Sequence, residues 1–168
     1  MRERQATQQG RRAREFEAFV AGAAGRLLHA ATLLTGERPG ADPRARALLT
    51  GALAATYASW DRLRGEDPYD RTRTALVVRF ARGAWRRPRG RGGLLDRLSP
   101  QERLVLVLRL YEGVAEEQTA ALLGLPVERV RALSARAVAA VLRPPRGPAT
   151  AAAQPPVPPT ALGKAAPS

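Results

Sequence analysis

The segment from Leu98 to Leu142 constrains the fold most, because its apolar residues recur at helical spacing between two glycine breaks. Its first helix is predicted to begin at Ser99-Pro100, with a serine cap, a proline at the first helical position and Glu102 in the first turn. Gly113 ends this helix. Its predicted buried stripe consists of Leu104, Val107, Leu108 and Tyr111.

A tight bend joins the next two helices of this segment. The second is predicted over about residues 115–123 and is closed by Gly124, which suits the left-handed conformation at a helix end. Leu125-Pro126 forms the turn, and the third helix starts near Val127. Its predicted core-facing residues are Val127, Val130, Ser134 or Leu133, Ala137 and Val141. This is the layout of a helix-turn-helix DNA reader, although a plain three-helix bundle with solvated arginines shares the spacing.

In a helix-turn-helix, the exposed residues early in the last helix face the major groove of DNA. In this chain they are Glu128, Arg129, Arg131, Ala132 and Ala135, with Arg136 near the edge. Arg129 and Arg131 are the best candidates for contact, because a guanidinium can bind guanine or phosphate in a bidentate manner.

The net charge of +13 and the pI of about 11.6 favour a polyanionic partner, nucleic acid first and an anionic membrane second. Lys164 is the only lysine, so almost all of the positive charge comes from arginine. A GC-rich genome would impose the same bias on any protein. A protein-interaction module with codon-biased arginines is therefore a further hypothesis.

The sequence also excludes several classes of protein. It contains no Cys, and its lone His29 lies in an apolar helical stretch, where we interpret it as a packing residue. No paired carboxylates and no phosphate loop are recognisable, so we expect neither an enzyme nor a cofactor or metal. We expect no membrane-spanning helix and no secretory signal, and hence a cytoplasmic protein.

The first half of the chain is predicted to be a second helical unit. Residues 1–14 are interpreted as a flexible basic arm, and helices are predicted over about residues 15–35, 44–63 and 69–87. Their predicted inward residues include Phe16, Leu27 and Leu34 in the first, Leu49, Leu53 and Trp60 in the second, and Leu76, Phe80 and Ala84 in the third.

The fold class is therefore predicted as all-α, with two small helical domains joined by a short Gly/Arg/Pro linker. The domains cover residues 15–87 and 98–143, and the linker covers 88–97. The tail, residues 144–168, holds most of the 14 prolines and is predicted to be disordered.

Both halves resemble one known family. LSPQERLVLVLRLYEGVAEEQTAALLGLPVERVRAL is similar to region 4 of the extracytoplasmic-function sigma factors of bacterial RNA polymerase, in the sigma-70 family and of actinobacterial type. Arg109-Leu110-Tyr111-Glu112 matches the family's Arg-Tyr-Tyr-Glu-like tetrad. FEAFVAGAAGRLLHAATLLTG, ALLTGALAATYASWDRL and DPYDRTRTALVVRFARGAWRR resemble the three helices of region 2. The resemblance covers roughly residues 15–142.

The resemblance implies a factor that binds core RNA polymerase, melts the −10 element with region 2 and reads the −35 duplex with region 4. It also implies promoter DNA as a partner, with an anti-sigma factor as a possible further partner, and we expect a monomer when the protein is free. The implied −10 strand contacts are Arg79, Arg82, Trp85, Arg86 and Arg87, and the implied −35 contacts include Arg129, Arg131 and Arg136. An arginine-rich helix with a terminal Trp suits a single strand, although Trp85 could equally cover the base of its domain.

The chain departs from the family in the helix that docks on the polymerase clamp. The family carries an Asp-Leu-Val-Gln-Glu-like acidic patch there, whereas the matching positions here hold Ala47, Leu48, Leu49, Thr50 and Gly51. Asn and Asp of the third helix are replaced by Arg79 and Gly83. Two hypotheses follow: a sigma factor of this type, with altered polymerase contacts at Ala47, Leu48, Thr50 and Gly51, or a sigma-like DNA-binding regulator that has lost the clamp contact.

Overall fold

The computed structural model describes residues 2–63, 65–83 and 92–143, and regular secondary structure in this part is helical. This confirms the predicted all-α class. The helices are α1 (Arg2–Thr35), α2 (Pro43–Ala58), α3 (Pro68–Gly83), α4 (Pro100–Leu106), α5 (Glu116–Leu123) and α6 (Val127–Leu142). A 3₁₀ turn (Trp60–Arg62) follows α2, and a π-helical segment (Val107–Tyr111) continues α4. The predictions for Ala84 and for the tail lie outside the described residues.

Helices α1, α2 and α3 pack around one apolar core. Leu27, Leu34, Ala52 and Phe80 are fully buried in it, as the helical spacing of apolar residues predicts. The hydroxyls of Thr56 on α2 and Thr72 on α3 are 2.9 Å apart inside this core, so one can donate to the other. Each also lies within hydrogen-bonding distance of a carbonyl of its own helix, so neither is buried without a partner. The bundle therefore holds the outer faces of α2 and α3 at a fixed spacing.

The amino-terminal residues differ from the predicted flexible arm, because they continue α1 from Arg2 onward. Arg12 explains part of this order: its guanidinium pairs with Asp61 at 3.0 Å and lies 4.4 Å from the centre of the Tyr57 ring. Arg11 pairs with Glu15 one turn later at 3.2 Å. Asp61 lies far along the chain from Arg12, and Glu15 lies one helical turn from Arg11. The polar composition of residues 1–14 does not indicate these ion pairs.

The predicted second helix is also shorter than expected. It ends at Ala58 instead of near residue 63, and the chain tightens into the 3₁₀ turn. Trp60, predicted in the core, is only partly buried and packs edge-on against Phe16 with ring centres 5.1 Å apart. This end of the bundle is closed by aromatic side chains, since Phe19 and Tyr57 also contact the same pair.

Helices α4, α5 and α6 form the second set. Val105, Ala120, Val130 and Leu133 are buried together between them. Leu133, and not the partly buried Ser134, is the core residue at the position that the sequence left open. The predicted cap is present as a reciprocal pair at the start of α4, which fixes where this set of helices begins.

The two sets of helices share an apolar cluster instead of standing as separate cores. Leu98 and Leu108 belong to the same cluster as Leu27 and Phe80. The predicted linker contributes to this contact over the residues that are described: Leu95 is buried, and the Gly93 amide donates to the Gly36 carbonyl at 3.1 Å. A side chain at position 93 would collide with that carbonyl, so glycine permits the close approach.

Helix α1 is long and apolar enough to cross a membrane by length and composition alone, which differs from the expectation that no such helix exists. Its apolar face is occupied within the protein, because Leu27, Ala31 and Leu34 are fully buried in the shared cluster. The same pattern is typical of the core helix of a water-soluble bundle.

Candidate nucleic-acid interface

The bend between α5 and α6 has the geometry that a helix-turn-helix requires. Gly124 adopts a φ of 64°, in the left-handed region that favours glycine. The Leu125 amide donates to the Ala120 carbonyl at 3.0 Å, which closes the end of α5. Pro126 then precedes the first turn of α6, and its carbonyl accepts from the Arg129 amide at 3.0 Å. The predicted bend is thus confirmed.

Helix α6 has one buried and one exposed face. Val130, Leu133 and Ala137 are at most 1% exposed and hold the helix against α4 and α5. The residues predicted to face a major groove are all exposed, and they are Glu128, Arg129, Arg131, Ala132, Ala135 and Arg136. The core therefore orients α6 so that its arginines point into solvent.

Two of these three arginines pair with acids from the preceding helices. Arg131 lies 3.0 Å from Glu116 in the first turn of α5, and Arg136 lies 3.7 Å from Glu102 in the first turn of α4. Arg129 has no hydrogen-bond or ion-pair partner for its side chain among the described residues. The three arginines thus differ in how freely their guanidinium groups can meet a ligand.

The sequence indicated Glu102 only as a charge in the first turn of its helix, and it did not reveal that Glu102 and Glu116 are arginine partners. Glu116 also lies 3.8 Å from Arg109, so it is flanked by two guanidinium groups. The side-chain and backbone hydrogen bonds from Ser99 lower the pKa of Glu102 below its ordinary value, and this keeps its carboxylate charged toward Arg136. Such a pair depends on tertiary structure, because Glu116 and Arg131 are fifteen positions apart and lie in different helices. No local sequence pattern therefore indicates it.

A second candidate surface lies between α2 and α3. An open groove of about 680 Å³ is lined by small apolar side chains together with Arg44, Arg79 and Arg82. Arg79 and Arg82, which the resemblance assigns to the −10 strand, are exposed along it. Trp85, Arg86 and Arg87 belong to the same predicted contact but lie outside the described residues.

Only some of the positions that the resemblance assigns to the clamp contact lie along this groove. Ala47 and Leu48 line it, although Leu48 is mostly buried in the core, and Thr50 is exposed but is not among the lining residues. Gly51 is covered by Arg79, whose Nη1 lies 2.9 Å from the place that a β-carbon of residue 51 would occupy. These positions therefore carry no acid, and Arg79 places a positive charge over one of them.

The buried carboxylate of Glu112, which the sequence indicated only as the last residue of a family-like tetrad, connects the two sets of helices. The Glu112 side chain is 1% exposed and lies 3.6 Å from Arg26 and 3.9 Å from Arg73. The Tyr69 hydroxyl lies 3.1 and 3.0 Å from its two oxygens. His29 is exposed, and its ring stacks on that of Tyr111, with ring centres 5.1 Å apart. The packing contact predicted for His29 is therefore with Tyr111, the residue before Glu112.

Residues 94–141 match the family described as Sigma-70, region 4. The matched segment contains α4, α5 and the whole of α6 except its last residue. No curated protein and no solved structure matches the chain. The carboxy-terminal helices are thus similar to region 4 of the sigma-70 factors, which supports a sigma-70 family protein with a DNA-binding role.

Proposed function

We propose that this chain is an RNA polymerase sigma factor of the extracytoplasmic-function type, which directs promoter recognition and transcription initiation. The observation that carries the proposal is the exposed face of α6, with Arg129, Arg131 and Arg136 outward beside the Gly124 bend. In the proposed complex, α6 enters the major groove of the −35 duplex, and α5 crosses the phosphate backbone. The proposal assigns no chemical reaction to the chain, and it places the chain in the cytoplasm as a monomer when free.

The proposed second contact uses the groove between α2 and α3. Arg79 and Arg82 lie on one side of α3 and would neutralise phosphates of the −10 strand. Two separate contacts with one promoter give more discrimination than either alone, since their free energies add when both are engaged.

Reconstituted transcription with core polymerase tests this proposal. The protein is expected to bind the core enzyme and to start transcripts at a subset of promoters. The double variant Arg129→Ala/Arg131→Ala should lose promoter-specific initiation while retaining core binding. Arg14→Ala removes an exposed charge on α1 and serves as the control. Absence of core binding at micromolar concentration would reject the sigma-factor assignment.

A second candidate is a sigma-like regulator that binds duplex DNA without polymerase. It is favoured by α2, where the exposed Ala47 and Thr50 carry no acid and Arg79 covers Gly51. This candidate predicts a gel shift that does not need polymerase. Restoring acids by Ala47→Asp and Gly51→Glu should then create core binding where the parent chain has none. A parent chain that binds core enzyme but no duplex by itself would exclude the regulator.

A further inference from the structure

We propose that Glu116 competes with DNA phosphates for Arg131 and thereby lowers the affinity of the protein for duplexes of arbitrary sequence. The inference rests on the proposed DNA-binding function of α6. It assigns Glu116 a role in specificity, as a positioning residue that acts through Arg131.

The geometry places a carboxylate directly beside the candidate DNA-binding helix. The Arg131 Nη2 lies 3.0 Å from the Glu116 Oε2, a distance suited to a charge-assisted hydrogen bond. The Arg131 side chain is 64% exposed, whereas that of Glu116 is 24% exposed. Glu116 therefore holds the guanidinium from the side of α5, and the rest of the arginine remains open to solvent.

This ion pair is weak enough to exchange. An exposed pair of this kind contributes little binding energy, because water screens the charges and two long side chains must be held in place. A phosphate oxygen is also a strong acceptor for a guanidinium and can bind it through two parallel hydrogen bonds. Arg131 can thus leave Glu116 for a well-placed phosphate, but each such exchange forfeits the ion pair.

The position of Glu116 makes the competition effective. It lies in the first turn of α5, and in a helix-turn-helix the first of the two helices crosses the phosphate backbone. A carboxylate there repels phosphates as well as occupying Arg131. Because the chain carries a net charge of +13, phosphate attraction without sequence preference is large, and an internal competitor limits it.

Arg129 provides the contrast within the same helix. Its side chain is exposed, and no described residue holds its guanidinium. It can meet a ligand without breaking an existing pair. Arg109 also lies 3.8 Å from Glu116, but its side chain is only 27% exposed and it already donates to the Val114 carbonyl. Arg131 is the more exposed of the two arginines beside Glu116, so the effect of removing Glu116 should depend mainly on whether residue 131 is an arginine.

A double-mutant cycle on the full-length protein tests this inference. The affinity for a short duplex of arbitrary sequence is measured against salt for the parent, Glu116→Gln, Arg131→Ala and the double variant. Glu116→Gln should raise affinity about two- to fivefold, the range that the energy of an exposed ion pair allows. The dependence of log affinity on log salt should become steeper by about one unit, because one more phosphate contact is made. With Ala at 131, the same change should have a much smaller effect.

Glu117→Gln is the matched control, since Glu117 is the exposed neighbour in the same turn. It removes the same charge without freeing an arginine and should change affinity less than Glu116→Gln does. An equal gain from both variants, or an equal gain in the Arg131→Ala background, would overturn the competition and leave plain charge repulsion. Unchanged or lower affinity of Glu116→Gln would also overturn it. If the parent chain binds no duplex at low salt, the DNA-binding proposal itself fails.

Discussion

The Tyr69 hydroxyl on α3 contacts both carboxylate oxygens of Glu112, which follows the π-helical segment, at 3.1 and 3.0 Å. This contact joins the amino-terminal bundle to the helices that match sigma region 4. Arg26 and Arg73 both approach Oε2 of this carboxylate, at 3.6 and 3.9 Å, and the carboxylate is nearly inaccessible to water. The junction therefore holds a buried charge that depends on groups from both sets of helices.

Removing the hydroxyl should weaken this junction. Tyr69→Phe retains the ring but leaves Glu112 without its nearest hydrogen-bond donor. We expect the free energy of unfolding to fall by about 1.5–3 kcal/mol, the range for hydrogen bonds to charged groups. Urea denaturation of the parent and the variant measures this difference in the free energy of unfolding. Tyr57→Phe is the control, because Tyr57 is partly exposed and its contacts involve the ring. Equal losses in both variants would contradict the assignment.

The same contact predicts a loss of stability at alkaline pH. Burial and the neighbouring Glu112 carboxylate raise the pKa of Tyr69 above its ordinary value of 10.0. The folded state therefore keeps the phenol proton after the unfolded state has lost it. The resulting stability is present below about pH 10 and declines as the pH rises further. Unfolding followed from pH 8 to 11 should show a smaller decline in Tyr69→Phe than in the parent. A decline of the same size would place the titration on another group, such as Tyr111, whose pKa burial also raises.

The features that the sequence predicted correctly are those with a local cause. The serine cap of α4, the left-handed Gly124 and the apolar stripe of α6 each depend on residues within about one or two helical turns. The features for which the structure differs from the prediction depend on contacts between residues far apart in the sequence. Residues 2–14 are helical in part because Arg12 reaches Asp61, and Leu95 is buried because the linker packs on the first bundle.

The candidate site divides in the same way. The outward direction of Arg129 and Arg131 follows from helical periodicity, so it was predictable. The partner of Arg131 was not, because Glu116 lies in another helix and the α5–α6 bend determines their distance. Likewise, no local pattern indicates that Arg79 lies over Gly51, since that contact depends on how α2 packs against α3.

The reciprocal cap at the start of α4 predicts an acid-sensitive contribution to stability. The amide and hydroxyl of Ser99 both donate to Glu102, and these bonds hold its pKa below the ordinary value of 4.5. The stabilisation is present above about pH 4.5 and is lost as the pH falls through the lowered pKa. Ser99→Ala should reduce stability by about 1 kcal/mol at neutral pH. Its curve should approach that of the parent in acid without meeting it, because the bond from the Glu102 amide to the Ser99 hydroxyl does not titrate. Parallel curves would contradict a contribution from the Glu102 carboxylate. Gln101→Ala, at an exposed neighbouring position, is the control.

Two glycines should respond to alanine with opposite signs. A β-carbon at position 124 would meet no atom within 4 Å, so alanine there would cause no steric clash. The substitution would instead strain the backbone, because a φ of 64° is unfavourable for a residue with a side chain. Gly124→Ala should lower the free energy of unfolding by about 1–2 kcal/mol. Gly25 lies within α1, where a β-carbon would also meet no atom within 4 Å. Gly25→Ala should therefore raise the free energy of unfolding by about 0.5–1 kcal/mol. Thermal unfolding of both variants gives the comparison. Loss of stability at both positions would point to steric crowding.

The last prediction concerns sequence discrimination by α6. Arg129 is exposed and has no partner among the described residues, whereas Arg136 lies 3.7 Å from Glu102 near the middle of the helix. If Arg129 reads a base, Arg129→Ala should weaken binding to a duplex selected from a random pool by about 1–3 kcal/mol, with a smaller loss on unselected DNA. Arg136→Ala should weaken both duplexes by similar factors and reduce the salt dependence by about one unit, as a phosphate contact does. Competition binding with both duplexes separates the two roles. Equal losses on selected and unselected DNA for Arg129→Ala would make it a phosphate contact as well.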